Sequence, residues 1–465
     1  MPQFDEKAIE NIVRTVVSRL TQEQGNAVFN DVDSAVTAAK AAQKIWVQTS
    51  KELKGRIIEA LRQAMHSHTD EFARMALEET GLGRFEDKVA KHHNAAANTP
   101  GLEDLQSSSW SGDKGMVYED WAPYGVIGAI TPSTHPIPVL FNSMIIMIAP
   151  GNSVVFNVHP AAKKVSAYAV EIFNKVIIDN GGPANLITLI KEPTMESADR
   201  MFHHPDVAMI AATGGPAIVE AAFSSGKKVI AAGPGNPPVL VDETADLDLA
   251  ARRIIEGATF DNNILCIAEK EVFVVEKVYQ LFLTALERAG AIKLQYEQIQ
   301  TLASRVFLND KKGGLVVNRE FIGKNARVLG AAVGLTLSDD IRLLFGEAQD
   351  FSCKFIQEEQ MMPYLPVLKV RDVDEGIRLS VEAEHGFGHT AMIYSNNLDN
   401  ITRFTKAVDT DIVVVNGPSV AGNGGDAGEG YFSHTIASPT GEGICTPRDF
   451  ARIRRISFSG SLQIV

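Results

Sequence analysis

A single cysteine in the middle of the chain has the surroundings that a reactive thiol requires. Cys266 lies between a polar run at residues 261–263 and an apolar, β-branched segment at residues 271–275 that is predicted to be a buried strand. The Asp-Asn-Asn run favours a turn, because such side chains hydrogen-bond to their own backbone. A thiolate displayed in this way could act as a nucleophile. The same features suit a small buried hydrophobic residue, which is what most free cysteines are.

Length and charge limit the classes of protein that the chain can represent. It has 465 residues, enough for roughly three domain-sized units. The net charge of -13 disfavours non-specific binding of nucleic acid, which depends on basic patches. It does not exclude an anionic nucleotide, because backbone amides at helix N-termini bind phosphate without side-chain charge.

Cysteines, histidines and apolar runs indicate no disulfide, metal or membrane chemistry. Cys266, Cys353 and Cys445 are far apart and form no CxxC pair, which fits a reducing cytosol. His385 and His389 are four residues apart, but the glycines between them favour a loop over a metal-binding helix. The longest apolar stretch is too short to cross a bilayer, and no secretory signal opens the chain. We therefore expect no metal, no nucleic acid and no membrane as partners.

The first twenty residues are predicted to form a separate amphipathic helix. Apolar residues at helical spacing lie on one face, and the following residues 21–27 form a polar linker. A short helix on a linker cannot bury its own apolar stripe. It must dock on its own domain, on a partner or on a membrane surface, and its acidic residues disfavour the membrane.

The remaining pattern predicts an α/β protein. Residues 28–97 have helical spacing, interrupted at residues 81–83. Strands are then predicted to alternate with helices in two successive runs, which indicates parallel sheets with ligands bound at the carboxyl ends of their strands. The predicted strands are 126–130, 152–158, 186–190, 207–212 and 228–231, then 239–241, 272–275, 351–356, 367–370, 391–394 and 412–415, with a late strand at 451–458.

A glycine-rich turn between a predicted strand and helix is a candidate phosphate site. Thr213-Gly214-Gly215-Pro216 would let a ligand approach the backbone closely, with free amides at the helix start. A plain tight turn explains the same residues equally well, and no GxGxxG or Walker motif is present.

Five motifs together resemble the aldehyde dehydrogenase superfamily, and within it the CoA-acylating branch that acts on acetaldehyde or propionaldehyde. The resemblance covers nearly all of the chain after residue 28. The motifs are FDNNILCIAEKEV at 260–272, GPGNPPVLVDETAD at 233–246, TGGP at 213–216, HPAAKKVS at 159–166 and TGEG at 440–443.

The resemblance implies an aldehyde dehydrogenase-like α/β fold in several parts. Residues 28–235 would form a Rossmann-like domain for NAD and CoA, and residues 236–430 an α/β catalytic domain that carries Cys266. Residues 108–123 and the C-terminal segment 431–465 would contribute a β-arm for oligomerisation as a homodimer or homotetramer.

The resemblance also implies roles for single residues. Cys266 matches the catalytic nucleophile, and its backbone amide would help to hold the oxyanion. Thr134 falls where hydrolytic relatives carry an oxyanion-binding Asn, so we place it in the catalytic set. The implied cofactor-binding residues are Thr131 and Pro132 at the nicotinamide, Asn157, His159 and Pro160 near the adenosine ribose, Thr213, Gly214 and Gly215 beside the pyrophosphate, Gly233, and Glu359 on the nicotinamide ribose.

One position distinguishes the acylating from the hydrolytic branch. Hydrolytic relatives place a water-activating Glu where this chain has Ala231. Without a general base for water, an acyl-enzyme thioester would survive until a thiol such as that of coenzyme A arrives. We therefore expect NAD+ and CoA to convert a short aldehyde to acyl-CoA through an acyl-Cys266 thioester. A hydrolytic enzyme that releases free acid, or a catalytically silent scaffold protein, is the alternative.

The opening helix resembles the encapsulation tags of enzymes in bacterial microcompartments. That resemblance favours docking on microcompartment shell or core proteins through residues 1–20. It implies a cytoplasmic location inside a microcompartment.

Overall fold

Two parallel β-sheets with helices packed around them form the frame of the protein. The computed structural model describes residues 27–309 and 314–463. The predicted opening helix at 1–20 and all of its linker except Ala27 lie outside these residues. No helix in the described ranges has the length and apolar character needed to cross a membrane.

The helices of the described residues are numbered in chain order. They are α1 (Val32–Trp46), α2 (Lys51–Ser67), α3 (Thr69–Thr80), α4 (Phe85–Asn98), α5 (Pro136–Ile148), α6 (Lys163–Asp179), α7 (Met195–His203), α8 (Pro216–Phe223), α9 (Leu247–Thr259), α10 (Tyr279–Arg288), α11 (Tyr296–Val306), α12 (Ala326–Ala332), α13 (Lys354–Gln357), α14 (Val373–Ala383) and α15 (Leu398–Val408).

The strands are numbered in the same way. They are β1 (Val28–Phe29), β2 (Ser108–Gly112), β3 (Gly115–Pro123), β4 (Val126–Thr131), β5 (Ser153–Val158), β6 (Ile187–Ile190), β7 (Val207–Thr213), β8 (Lys228–Ala232), β9 (Pro238–Val241), β10 (Glu271–Val275), β11 (Ile292–Lys293), β12 (Phe307–Asn309), β13 (Leu315–Val317), β14 (Leu344–Glu347), β15 (Tyr364–Val370), β16 (Thr390–Tyr394), β17 (Ile412–Val415), β18 (Ile436–Ala437), β19 (Gly443–Ile444) and β20 (Ala451–Ser459).

The first sheet has the order β1-β6-β5-β4-β7-β8, with every neighbouring pair parallel. Strand β5 is buried along its whole length, as expected where helices cover both faces. Helix α5 is apolar on all sides and buried at every residue, so it is a core helix of this unit.

The second sheet has the order β11-β14-β15-β10-β9-β16-β17 and is also parallel throughout. Strand β10, which follows Cys266 in the chain, lies in the interior between β9 and β15. The segment that carries the cysteine is therefore attached to the centre of a fully paired sheet.

A separate antiparallel sheet is formed by β2, β3 and β20. Strand β20 pairs with β3 along its whole length, from Ala451 opposite Pro123 to Ser459 opposite Gly115. Apolar side chains on this sheet are exposed, namely Trp110, Ile453, Ile456 and Phe458. This sheet joins residues 108–123 to the C-terminal strand β20.

Two predicted elements were wrong. Residues 351–356 were expected to form a strand, but a turn is followed there by the short helix α13. The Asp350 carboxylate accepts hydrogen bonds from the backbone N–H and the hydroxyl of Ser352, which favours the turn. Residues 28 and 29 were expected to be helical, but β1 pairs with β6 at the sheet edge.

Candidate active site

A cavity of about 540 Å³ lies between the two parallel sheets and is lined by every residue of the predicted site. The predicted residues in its wall are Cys266, Thr134, Thr131, Pro132, Asn157, His159, Pro160, Thr213, Gly214, Gly215, Gly233 and Glu359. The structure thus places these side chains around one space, although they are spread over more than 200 positions of sequence.

The two sheets contribute to the cavity through opposite ends of their strands. Thr131 and Thr213 are the last residues of β4 and β7, which are neighbours in the first sheet. In the second unit, by contrast, the wall comes from segments that precede strands: Cys266 precedes β10, and Glu359 precedes β15. The rule that parallel sheets bind ligands at the carboxyl ends of their strands therefore applies to the first sheet only.

The turn after β7 leaves its backbone open to the cavity. The Gly214 N–H donates to the Ala232 carbonyl at 3.1 Å, which fixes the turn against β8. A Cβ added at Gly215 would meet no atom within 4 Å, so a ligand can approach the backbone closely just before α8 begins at Pro216. This arrangement fits the phosphates of a dinucleotide.

The side chains predicted to lie near the adenosine ribose make hydrogen bonds within the protein. The Asn157 side chain accepts from the Ser197 hydroxyl at 2.9 Å and donates to the Thr194 carbonyl at 3.4 Å. His159 caps the following turn by accepting from the Ala161 N–H at 3.1 Å. Asn157 therefore joins β5 to the start of α7, in addition to lining the wall.

The turn before Cys266 has an uncommon backbone conformation. Asp261, Asn262 and Asn263 have successive φ values of 47°, 57° and 66°, in the left-handed region that residues other than glycine seldom occupy. The Asn263 side-chain amide donates to the Ala258 and Glu269 carbonyls, each at 2.9 Å. Such strain persists only where surrounding contacts enforce it, and it is common at functional sites.

A buried lysine, Lys270, forms hydrogen bonds to this turn. The Lys270 ammonium donates to the Asn263 side-chain oxygen at 2.5 Å, to the Asn263 carbonyl at 3.0 Å and to the Leu265 carbonyl at 3.2 Å. Burial lowers the pKa of Lys270. The ammonium group thus holds the backbone on the N-terminal side of Cys266 at two places.

The Cys266 thiol is protonated in the free protein. Burial, followed by the negative charge of Glu359, raises the pKa of Cys266 to about 12, although Lys270 acts in the opposite direction. Among the described residues that line the cavity, Glu359 is the one carboxylate. Its own pKa is raised by burial, against the effects of Lys270 and the Gly235 N–H.

We expect the alkylation of Cys266 by iodoacetamide to accelerate steadily with pH. Because only the thiolate reacts, the rate constant should rise about tenfold per pH unit up to at least about pH 10, without a plateau. The measurement is the modified fraction of the Cys266 peptide by mass spectrometry. A Glu359→Gln variant, which removes a nearby negative charge, should react faster at each pH. A plateau near the pH at which an ordinary thiol titrates would contradict this prediction.

Sequence reasoning missed His389, which it had considered only as half of a metal pair with His385. The two rings point to different partners, because His385 Nε2 is 2.9 Å from the Gln357 carbonyl. A Cβ added at Gly235 would lie 3.2 Å from His389 Cγ and 2.5 Å from the Cys266 carbonyl oxygen, so this histidine is close to the cysteine backbone. Only the folded chain reveals this proximity, since the two residues precede different strands, β10 and β16.

The His389 imidazole is buried and neutral. Burial, followed by the charge of Lys270, lowers its pKa to about 4. Nδ1 is 2.8 Å from the Thr390 hydroxyl, whereas Nε2 is buried with no hydrogen-bond partner among the described residues. Nε2 of His389 is therefore not committed to another described group, although His389 is not among the residues that line the cavity.

Position 231, which is predicted to distinguish the acylating from the hydrolytic branch, carries an alanine and no acid. Ala231 is fully buried on β8, and its N–H donates to the Thr440 hydroxyl at 3.2 Å. The wall of the cavity is formed instead by Gly233 and Pro234, two residues further along. No carboxylate is available there to activate water.

Known proteins resemble the chain over almost its whole length. The family model described as the aldehyde dehydrogenase family matches residues 7–300. Acetaldehyde dehydrogenase (acetylating) of Salmonella typhimurium is 42% identical, with 99% of this chain and 100% of the relative aligned.

Solved structures agree with these relatives. The propionaldehyde dehydrogenase from the Clostridium phytofermentans fucose utilisation bacterial microcompartment is 43% identical with a TM-score of 0.91, covering 94% of this chain and 100% of that one. The Rhodopseudomonas palustris propionaldehyde dehydrogenase, solved with bound CoA and an acylated cysteine, is 40% identical with a TM-score of 0.91 and covers 95% and 100% of the two chains.

Proposed function

The chain belongs to the aldehyde dehydrogenase family, and we propose that it is a CoA-acylating member that converts propionaldehyde or acetaldehyde, with NAD+ and CoA, to acyl-CoA and NADH. The observation that carries this proposal is the position of Cys266 in a cavity where the described part of the wall has a single carboxylate, Glu359. The relatives include acetylating and propionaldehyde-oxidising enzymes, and one of them was solved with an acylated cysteine and CoA.

The cysteine supplies covalent catalysis. Cys266 Sγ bonds to the aldehyde carbon and gives a thiohemiacetal, which becomes an acyl-Cys266 thioester when its hydride leaves. Bound NAD+ supplies the chemistry of hydride acceptance. We propose that the turn at residues 213–215 holds the pyrophosphate of this cofactor and that Glu359 holds a ribose hydroxyl, since all of these residues line one cavity.

Thr134 is proposed to stabilise the oxyanion of the tetrahedral adduct. His135 Nε2 lies 3.2 Å from the Thr134 hydroxyl, and His135 Nδ1 is buried with no partner among the described residues. A buried N–H without an acceptor is rarer than an unused lone pair, so we assign the ring proton to Nε2. With His135 as donor, the Thr134 hydroxyl keeps its own proton free to donate into the cavity.

Replacement of Thr134 by valine is expected to lower kcat by about 100-fold, the usual cost of losing one oxyanion donor. The substitution keeps the shape of the side chain and removes only the hydroxyl. Steady-state NADH formation with saturating aldehyde, NAD+ and CoA measures the effect. Thr188→Val, on buried strand β6 and outside the cavity wall, is the matched control. An unchanged kcat for Thr134→Val would leave the Cys266 backbone amide as the principal donor.

His389 is proposed to accept a thiol proton. The thiols of Cys266 and CoA must both lose a proton before they attack, and the uncommitted Nε2 of His389 belongs to a ring close to the cysteine backbone. Burial lowers its pKa, so the ring is neutral at neutral pH.

The acyl-enzyme is proposed to persist until CoA enters. Ala231 offers no base to water, so the CoA thiolate attacks the thioester carbon and displaces Cys266. Neither alternative function gains support: the relatives are acylating enzymes, and the cysteine, its turn and the cavity are all present. A hydrolytic enzyme would need a second carboxylate, and a silent scaffold would not need this cavity.

NADH formation from propionaldehyde and NAD+, with and without CoA, tests the proposal when the product is identified. Turnover that requires CoA and yields propanoyl-CoA is expected. Turnover without CoA that yields propionate would overturn the acylating assignment. Absence of both NADH formation and NAD binding would support the scaffold.

Assembly is proposed from the exposed sheet and from residues 1–20. The apolar side chains of β20 are exposed on a sheet that a second copy of the chain could cover, as expected for a homodimer or homotetramer. One structural relative comes from a bacterial microcompartment, which supports a cytoplasmic location inside such a compartment with residues 1–20 docked on shell or core proteins. Loss of co-localisation with shell proteins, without loss of turnover, is expected when residues 1–20 are deleted.

A further inference from the structure

We propose that a buried ion triad, Lys88–Asp261–Lys91, is a positioning device that holds the strained turn in front of Cys266 and so sets the rate of its acylation. The inference rests on the proposed function only for the identity of the reaction. The triad lies outside the residues that line the cavity, and the mechanism above assigns no step to it.

The triad connects the two units of the protein. Lys88 and Lys91 are three residues apart on α4, so their side chains share one face of that helix. Both ammonium groups donate to Oδ2 of Asp261, Lys88 at 3.2 Å and Lys91 in a closer contact. Lys88, Lys91 and Asp261 are all buried, with relative exposures of 1%, 3% and 0% respectively.

The carboxylate of Asp261 is also held by the backbone before α4. Its Oδ1 accepts from the Arg84 N–H at 2.7 Å. The neighbouring Gly83 has a φ of +81°, and a Cβ added there would lie 1.9 Å from the same oxygen. The chain therefore approaches Asp261 more closely than any side chain at position 83 would permit.

The backbone of the turn has its own contact with α4. The Asp261 N–H donates to Asp87 Oδ2 at 2.9 Å, and the same oxygen accepts from Arg342 at 2.7 Å. Arg342 also donates to the Thr259 carbonyl at 3.0 Å, just before the turn. One short stretch of α4 thus fixes both the side chain and the main chain of Asp261.

The two lysines keep the buried Asp261 carboxylate ionised. Burial alone would raise the pKa of Asp261, but the ammonium groups of Lys91 and Lys88 hold it below its usual range, so the carboxylate stays ionised. A buried charge that loses its partner is strongly unfavourable. With two cations on one anion, removal of a single lysine leaves a neutral pair, so such a variant should still fold.

The position of the turn affects the position of Cys266, because the two are close in the chain and Lys270 is hydrogen-bonded to both the turn and the residue before the cysteine. Asp261, Asn262 and Asn263 form one left-handed run, and Lys270 joins Asn263 to Leu265, the residue before Cys266. The left-handed run lacks glycine and must be enforced from outside. A displacement at Asp261 therefore moves the sulfur relative to the cavity wall.

The test is Lys91→Met in the full chain, with Lys88→Met as a second variant. We expect kcat for CoA-dependent aldehyde oxidation to fall about 10- to 100-fold, the usual cost of misplacing a reacting group, with KM for the aldehyde changed less than about threefold. The rate of Cys266 alkylation by iodoacetamide, measured with no substrate present, should also change. Lys54→Met is the matched control, because Lys54 is a buried lysine of α2 that contacts Trp46 and not the turn.

The outcomes separate positioning from a purely structural role. A variant that melts at a lower temperature but keeps wild-type kcat and alkylation rate would overturn the proposal, as would a change in KM alone. If one lysine variant fails to fold, the other provides the same comparison. The alkylation rate does not depend on the reaction catalysed, so a failure of the acylating assignment would appear in the product and not in this measurement.

Discussion

Replacement of Cys266 by alanine is expected to abolish CoA-dependent aldehyde oxidation, with kcat reduced by at least about 10⁴-fold. The reason is chemical: without the thiol no bond to the aldehyde carbon forms, and the remaining cavity offers no other nucleophile of comparable reactivity. NADH formation under saturating aldehyde, NAD+ and CoA measures the loss. NAD binding should survive, because the turn at residues 213–215 belongs to the other sheet.

Cys353→Ala is the matched control for this variant. Cys353 precedes α13 and lies outside the wall of the catalytic cavity, so its removal should leave kcat unchanged. If Cys266→Ala and Cys353→Ala turned over at similar rates, the nucleophile assignment would be wrong.

A single methyl group at position 235 is expected to lower kcat by about 100-fold, through displacement of the cysteine loop. A Cβ on Gly235 would lie 2.5 Å from the Cys266 carbonyl oxygen, which is too short for a real contact, and 3.2 Å from His389 Cγ, which is tight. Because the obstacle is backbone, either the cysteine loop or the Gly235 turn must move. Steady-state kinetics of Gly235→Ala, together with its melting temperature, would separate lost activity from lost folding.

Gly112→Ala is the comparison for this substitution. Its added Cβ would meet no atom within 4 Å, and it lies on β2, outside the cavity wall. Wild-type activity in a folded Gly235→Ala protein would show that the cysteine loop adapts without cost, contrary to the tight packing described.

Local sequence signals indicated two segments of the candidate site, and the family resemblance supplied the other predicted residues. The turn at residues 213–216 and the polar run before Cys266 are short segments whose residue types predict a turn, although the left-handed conformation of the run depends on contacts from distant residues. His389 lacked such a signal. Its relevance comes from a ring packed beside Gly235, and that proximity depends on the pairing of β16 with β9.

The burial of the charged residues of α4 could not be predicted from the sequence either. Spacing alone assigns Lys88 and Lys91 to the charged positions of an amphipathic helix, yet both are almost fully buried. They are buried because Asp261, more than 160 residues later, supplies the counter-charge. No pattern within the helix could predict that partner.

The short elements of the second unit show the same dependence on distant residues. Strand β14 was not predicted, and it is paired on both sides, by β11 and β15. Residues 351–356 have apolar character typical of a strand, but Asp350 and Ser352 form a turn that prevents it. The conformation of these elements depends on the strands that pair with them and on hydrogen bonds between side chain and backbone. Hydrophobicity alone does not determine it.

The most direct test of the central claim is a single turnover without CoA. Enzyme is mixed with propionaldehyde and NAD+, NADH is followed, and the intact protein and its Cys266 peptide are analysed by mass spectrometry before and after CoA is added. We expect a burst of one NADH per active site, a propanoyl group on Cys266, and release of that group as propanoyl-CoA only when CoA arrives. Continued NADH formation without CoA, with propionate as product and no acylated Cys266, would contradict it.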